Sequence, residues 1–253
     1  VTSGSTNAYI SFTLPSKKGD CQKDYQFPTN LLDSTDSETI NEIGKTIGKG
    51  QSGTVICLPI TVSYTRNQLK IDEKIKNYAV KKFHAWAEGR DEHFSHQCII
   101  EKIRLHADKL KELGIVPGTG IEKQPVHFFE RSIDGDFLQD GYLVKQLYMM
   151  DLWDAVGKLV IKPQHLVSGS LQLIEGLITL KTIGALYFDI KPDNILVGRK
   201  KKLEIAFTDF EEVAFLNFDE SDKKTLKYVF IKSAKRLIKS FSSTPFSHAP
   251  PIK

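Results

Sequence analysis

The feature that most narrows the fold is a change of apolar period partway along the chain. From Ile43 to Val80 the apolar residues come in short β-branched runs broken by glycine: Thr46-Ile47, Thr54-Val55-Ile56, Ile60-Thr61-Val62 and Tyr78-Ala79-Val80. Such runs, punctuated by turn formers, read as strands. From His93 to Leu113 the spacing of Cys98, Ile99, Ile103, His106 and Leu110 is helical instead. Two strand-like runs follow, Pro125 to Phe129 and Tyr142 to Leu147. Leu166 to Ile183 then carries Leu166, Leu173, Leu177 and Leu180 on one helical side, with Ser168 and Ser170 as candidate caps. A β-rich first half and a helical second half predict an α+β chain of two lobes with a cleft between them. No internal repeat interrupts that plan.

Composition excludes several classes. With 40% hydrophobic and 26% charged residues, the chain has material for a real core and is not collagenous, wholly disordered or a disulfide scaffold. Cys21, Cys57 and Cys98 are too few and too scattered for a zinc site and fit a reducing, cytoplasmic compartment. Cys57 and Cys98 are expected in the core, and His93 and His96 on an exposed helix face. No apolar run approaches the ~20 residues a bilayer requires, and the first residues lack a signal-peptide pattern. The net charge of +4 is unevenly spread, because eight basic residues and no acid lie between Lys223 and Lys253. A basic tail on a mildly acidic body suits a solvated helix or an acidic partner. Without aromatic interleaving or a recognised module it does not indicate nucleic acid.

Three stretches carry chemistry. Ile47-Gly48-Lys49-Gly50-Gln51-Ser52-Gly53-Thr54-Val55 contains G-x-G-x-x-G. A dinucleotide fingerprint needs a helix straight after its last glycine, whereas Thr54-Val55-Ile56-Cys57 favours a strand. The stretch reads as a glycine-rich hairpin whose backbone N–H groups can approach phosphates; an ordinary turn is the bland alternative. Lys81 ends the strand Tyr78-Ala79-Val80-Lys81, and alternation with Ala79 and Phe83 turns its side chain inward, where a charge needs a partner. Glu101 is the favoured partner and Glu92 the alternative. The third stretch is Leu186-Tyr187-Phe188-Asp189-Ile190-Lys191-Pro192-Asp193-Asn194, followed fifteen residues after Asn194 by Asp209-Phe210-Glu211.

In this order the pieces resemble a eukaryotic-type protein kinase: glycine-rich loop, strand lysine, helix glutamate, D-x-K-P-x-N, then D-F-x. Tyr142 to Leu152 is similar to the hinge of such enzymes, and the resemblance runs from about Ile43 to Val213. It implies a two-lobed kinase-like fold, with a loosely ordered extension over 1–42, an N-lobe and hinge over 43–148, and a shortened helical C-lobe over 149–253 ending in a basic helix. It implies ATP and Mg²⁺ (or Mn²⁺) as cofactors, with a protein Ser/Thr hydroxyl as acceptor. Carried over by position, Gly48, Lys49, Gly50, Gln51, Ser52, Gly53, Val55 and Ala79 would surround the nucleotide. Lys81, steadied by Glu101, would hold the α/β-phosphates, and Gln146 and Tyr148 would bind adenine through backbone groups. Asp151 would reach the ribose, Asn194 and Asp209 would ligate the metal, Asp189 would accept the hydroxyl proton, and Lys191 would neutralise charge on the γ-phosphate.

The chain also departs from the family. Tyr187-Phe188 stands where His-Arg is usual, which removes the arginine that pairs with an activation-loop phosphate. Glu211 replaces the Gly of D-F-G and constrains or reorients Asp209. Lys145 occupies a position that usually holds an uncharged residue. Only 42 residues follow Glu211, and Leu226 to Phe241 reads as one amphipathic basic helix. This short plan is similar to minimal kinases that bacterial pathogens secrete into host cells, some of which use a host protein as activator. Two other functions compete: a nucleotide-binding pseudokinase scaffold that engages a partner through its basic tail, and a kinase-fold transferase with another acceptor.

Overall fold

The computed structural model describes residues 9–15, 21–28, 44–50, 52–84, 86–133, 136–158, 161, 163–199, 203–211, 213–216, 231–232 and 235. The chain is α+β and divides into two compact units, Val1–Gly89 with Val126–Leu147 and Arg90–Pro125 with Tyr148–Lys253. The sequence boundary had placed 90–125 with the first lobe. Among the described residues no helix is long and apolar enough to cross a membrane.

The first unit is an antiparallel sheet of β1 (Tyr9–Pro15), β2 (Cys21–Pro28), β3 (Lys45–Lys49), β4 (Gly53–Arg66), β5 (Leu69–Phe83), β6 (His127–Ile133) and β7 (Asp136–Gln146). Strand order is β1-β2-β4-β5-β7-β6, with β3 pairing β4 off that path. β4 shows why it is a strand: Ile56, Leu58, Ile60 and Val62 alternate into the core, the period a pleat imposes. It turns into β5 through Asn67 and Gln68, both at positive φ (49° and 65°), as a two-residue hairpin turn matched to strand twist requires. Tyr25, Val80, Tyr142 and Val144 complete this core.

At 9–15 and 21–28, β1 and β2 stand in place of the loosely ordered extension expected over 1–42. β1 pairs with β2 from Tyr9↔Pro28 to Pro15↔Gln22, and β2 pairs with β4. The polar composition hid an alternating strand, in which Phe12 and Leu14 pack against the core. Phe12 stacks on Tyr25 (4.8 Å between ring centroids) and on His127 (4.5 Å). Burial lowers the pKa of His127. The unfolded chain therefore takes up a proton before the folded one. Stability is full above about pH 6.5, the ordinary imidazole value, and drains as pH falls below it and through the lowered folded value. The expected result is a denaturation midpoint that declines between about pH 8 and pH 5 more steeply in wild type than in His127→Phe, which keeps the ring stack without the titration. Equal slopes would refute a half-buried, neutral His127.

The second unit contains α1 (Trp86–Leu105) from Arg90 onward, α2 (Ala107–Glu112), α3 (Leu152–Gly157), α4 (Pro163–Thr182), a sheet ordered β11-β10-β8, and the pair β12–β9. Here β8 is Met150–Asp151, β9 Ala185–Leu186, β10 Ile195–Arg199, β11 Leu203–Phe207 and β12 Ala214–Phe215. α4 starts on Pro163, whose fixed φ and missing N–H suit a helix start. Its residues Leu173, Leu177 and Leu180 are buried as expected, in a core shared with Ile99, Ile103, Ile195 and Phe207. Gly120 (φ +73°) lies directly on α4, and a Cβ there would stand 2.0 Å from the Gln172 carbonyl oxygen. Only glycine fits that approach. The three cysteines are free, and Cys57 and Cys98, expected in the core, are only half-buried. The helix expected over Leu226–Phe241 lies outside the described residues except for Ile231, Lys232 and Lys235, which are helical and exposed.

Candidate functional site

In the second unit the D-x-K-P-x-N and D-F-E stretches meet through one hairpin. β10 and β11 pair from Ile195↔Phe207 to Arg199↔Leu203, so the residues flanking its open end, Asn194 and Thr208, become neighbours. Thr208 N donates to the Asn194 carbonyl oxygen at 3.1 Å. The loop before β10 closes in a 3-10 turn over Pro192–Asn194, again with proline at the start. Asp189, Lys191, Asn194 and Asp209 are thereby gathered at one end of a small sheet.

The Asp189 carboxylate is held from two sides. Its Oδ2 accepts from Lys191 Nζ at 2.8 Å and from Asn194 Nδ2 at 2.6 Å, and the same Nδ2 reaches the Asp189 carbonyl oxygen at 3.1 Å. Asn194 is 5% exposed, whereas the Asp189 and Lys191 side chains are 41% and 49% exposed. Asp189 thus presents an oriented carboxylate to solvent from a rigid base. The hydrogen bond to Asp189 is the main cause raising the Lys191 pKa, with the nearby carboxylates adding to it. Lys191 consequently stays cationic throughout the neutral range.

Asp209 adopts φ +62°. The left-handed region costs a non-glycine residue about 1–2 kcal/mol, and Asp is among the few that enter it. Its carboxylate gathers with those of Glu92 and Glu211, ligand oxygens all within 4.8 Å of one another. Glu92 is 1% exposed on α1. These three carboxylates are hard oxygen donors, the chemistry that Mg²⁺ or Mn²⁺ prefers.

Glu101, the favoured partner for Lys81, is exposed on α1. The helix begins at Trp86 rather than near His93, so Glu92 lies inside it and shares a buried face with His96, Ile99 and Ile103. His96, expected at the surface, is likewise buried. Glu211, a departure from D-F-G in the sequence, supplies the third carboxylate of this cluster. Tyr187 lies two residues before Asp189, and its hydroxyl donates to the Thr208 carbonyl oxygen at 2.7 Å. Its ring packs against Phe207 and Phe210. Burial first, and then the charges of Asp209 and Asp189, push the Tyr187 phenol pKa well above its ordinary value. Asp151 caps α3, its Oδ1 accepting from Asp154 N at 2.7 Å, and burial raises its pKa. Tyr148 is buried in this unit.

The first unit places the remaining candidates. Gly48↔Val55 and Lys49↔Thr54 pair across β3 and β4, and Gly50 N donates to the Gly53 carbonyl oxygen at 2.9 Å to close the turn. A Cβ on Gly53 would stand 2.2 Å from the Lys82 carbonyl oxygen, so this glycine is obligatory. Ser52 is half-buried beside it, and Gln51 lies outside the described residues. Lys81 is 9% exposed, opposite Val55 on one side and Leu143 on the other. Its Nζ lies 4.7 Å from the centroid of the Phe83 ring. Ala79 pairs with Lys145, which is also buried, and Gln146 ends β7 opposite Tyr78. Compared with known proteins, the sequence matches no family model and no curated protein.

Proposed function

We propose that the chain is an ATP- and Mg²⁺-dependent phosphotransferase of the protein-kinase type, acting on Ser/Thr hydroxyls. One observation carries the reading: a half-exposed carboxylate, Asp189, is clamped by Lys191 and Asn194 at the same hairpin end that delivers Asp209. A base that accepts a hydroxyl proton needs such fixed aim. A cation beside it suits charge that builds on a transferring phosphoryl group.

Asn194 and Asp209 are the residues that would hold the metal, with Glu92 and Glu211 as further oxygen donors. When bound, the cation would neutralise charge on the nucleotide phosphates. Asp189 then takes the proton of the attacking hydroxyl, and Lys191, fixed as a cation, faces the charge left on the phosphoryl oxygens. The first unit supports the same reading through its glycine-closed β3–β4 turn and the inward cation of Lys81. The resemblance to secreted minimal kinases extends the reading to host proteins as substrates and to an activating host partner.

The test is incorporation of label from γ-labelled ATP into a generic Ser/Thr substrate, with Mg²⁺, Mn²⁺ or EDTA and with or without eukaryotic lysate. Wild type is expected to transfer label only with metal. Transfer that survives EDTA, or that Asp189→Ala matches, would overturn the reading.

A further inference from the structure

We infer that Glu122 is a positioning residue for Asp209, a buried carboxylate that acts through Thr208 to fix how the metal-holding side chain is presented. The inference rests on the phosphotransferase reading in one respect, that Asp209 binds a cation.

Glu122 owes its place to the close approach at Gly120. With Gly120 seated on α4, the backbone continues alongside β11: Phe207 N donates to the Gly120 carbonyl oxygen at 2.9 Å, and Glu122 N donates to the Phe207 carbonyl oxygen at 2.9 Å. Gly176 completes the seat, since a Cβ there would stand 2.8 Å from the Gly120 carbonyl oxygen. This short parallel bridge brings the Glu122 side chain, 1% exposed, to the residue that precedes Asp209. Thr208 Oγ1 donates to Glu122 Oε2 at 2.6 Å. His96 Nε2 lies 2.9 Å from the Glu122 carbonyl oxygen, so α1 is tied to the same residue.

Every polar group of Thr208 is thereby engaged by a different part of the unit. Its N–H bonds Asn194, its carbonyl oxygen accepts from Tyr187, and its hydroxyl bonds Glu122. The peptide joining Thr208 to Asp209 is a rigid plane. Holding the residue on its amino side therefore fixes the frame from which the Asp209 side chain departs. On the other side Phe210 is held between the rings of Tyr187 (5.4 Å) and His96 (5.2 Å). Apolar side chains at 122 and 208 would fill the same space, but a buried hydrogen-bonded pair specifies one orientation. Asp209 needs that specification, because a left-handed aspartate relaxes readily to commoner backbone conformations.

The experiment uses the full chain and Mn²⁺ alone, with bound and free metal separated by electron paramagnetic resonance. Glu122→Gln keeps shape but loses the charge that strengthens the hydrogen bond, and Thr208→Val replaces the hydroxyl by a methyl group. Each is expected to weaken Mn²⁺ binding by about 5- to 30-fold, with Asp209→Asn weaker still. Thr208→Ser is expected to bind like wild type, a rescue that a purely packing role would not give. Glu122→Gln combined with Thr208→Val is expected to be no weaker than the worse single variant, because both act on one interaction. Wild-type binding in both Glu122→Gln and Thr208→Val, with Asp209→Asn impaired, would overturn the inference and leave the metal reading standing. Undiminished binding in Asp209→Asn would overturn both.

Discussion

Asp189→Ala is expected to lower the turnover number for phosphoryl transfer by about 10²–10⁴-fold, the usual worth of a positioned general base. The Michaelis constant for ATP should stay within about twofold, since the carboxylate acts on the hydroxyl proton and is not among the groups that would hold nucleotide or metal. Stability should change little. The Asp189 side chain is 41% exposed, so its removal opens no sealed cavity. Lys191, 49% exposed, regains water in place of its acceptor. Asn194, though buried, keeps the Asp189 backbone carbonyl at 3.1 Å. Initial-rate kinetics on labelled ATP, paired with thermal unfolding, separate these effects. A large rise in the Michaelis constant at unchanged turnover number would mean that Asp189 binds nucleotide and that the base must be sought elsewhere.

The parts of this site legible in the sequence are those whose geometry is local. Asp189, Lys191 and Asn194 lie within six residues of one another, and Asp209 is carried to them by a hairpin whose two strands follow directly. Likewise the alternation of β4 and the leucine side of α4 announce themselves, because each element's buried face repeats with its own period. The illegible parts depend on where distant segments are seated. Glu92 is a buried residue of an α1 that starts at Trp86, and Glu211 follows Asp209, whose backbone is left-handed. Glu122 belongs to no motif, and its role follows from the approach of Gly120 to α4, which a single glycine in a loop does not advertise. β1 and β2 escaped notice for a different reason. Their apolar residues are few and separated by Ser, Thr and Asp, a composition shared with unstructured segments, and only pairing with β4 gives Phe12 and Tyr25 a core to enter.

Asn194→Asp should be almost as damaging as loss of Asp189, and for a reason that separates two roles of the asparagine. Its Nδ2 is the donor that faces Asp189 Oδ2 at 2.6 Å. Replacing that NH₂ by oxygen sets two carboxylates against each other at hydrogen-bond distance, one of them on a residue 5% exposed. Such a pair cannot ionise fully and shares a proton, so its titration belongs to the dyad and the charged form is disfavoured. A proton held between the two carboxylates blocks Asp189 as a base at neutral pH. Lys191 remains beside Asp189 and offsets only part of the repulsion, because half of its side chain is solvated. Activity near pH 7 is expected to fall, and the acidic limb of the pH–rate profile to move to higher pH. Raising the pH should therefore recover activity in Asn194→Asp. Asn194→Ala, which loses the donor and the amide oxygen without adding charge, should show no such recovery. Identical pH profiles for wild type and Asn194→Asp would rule out the asparagine as the group that aims Asp189.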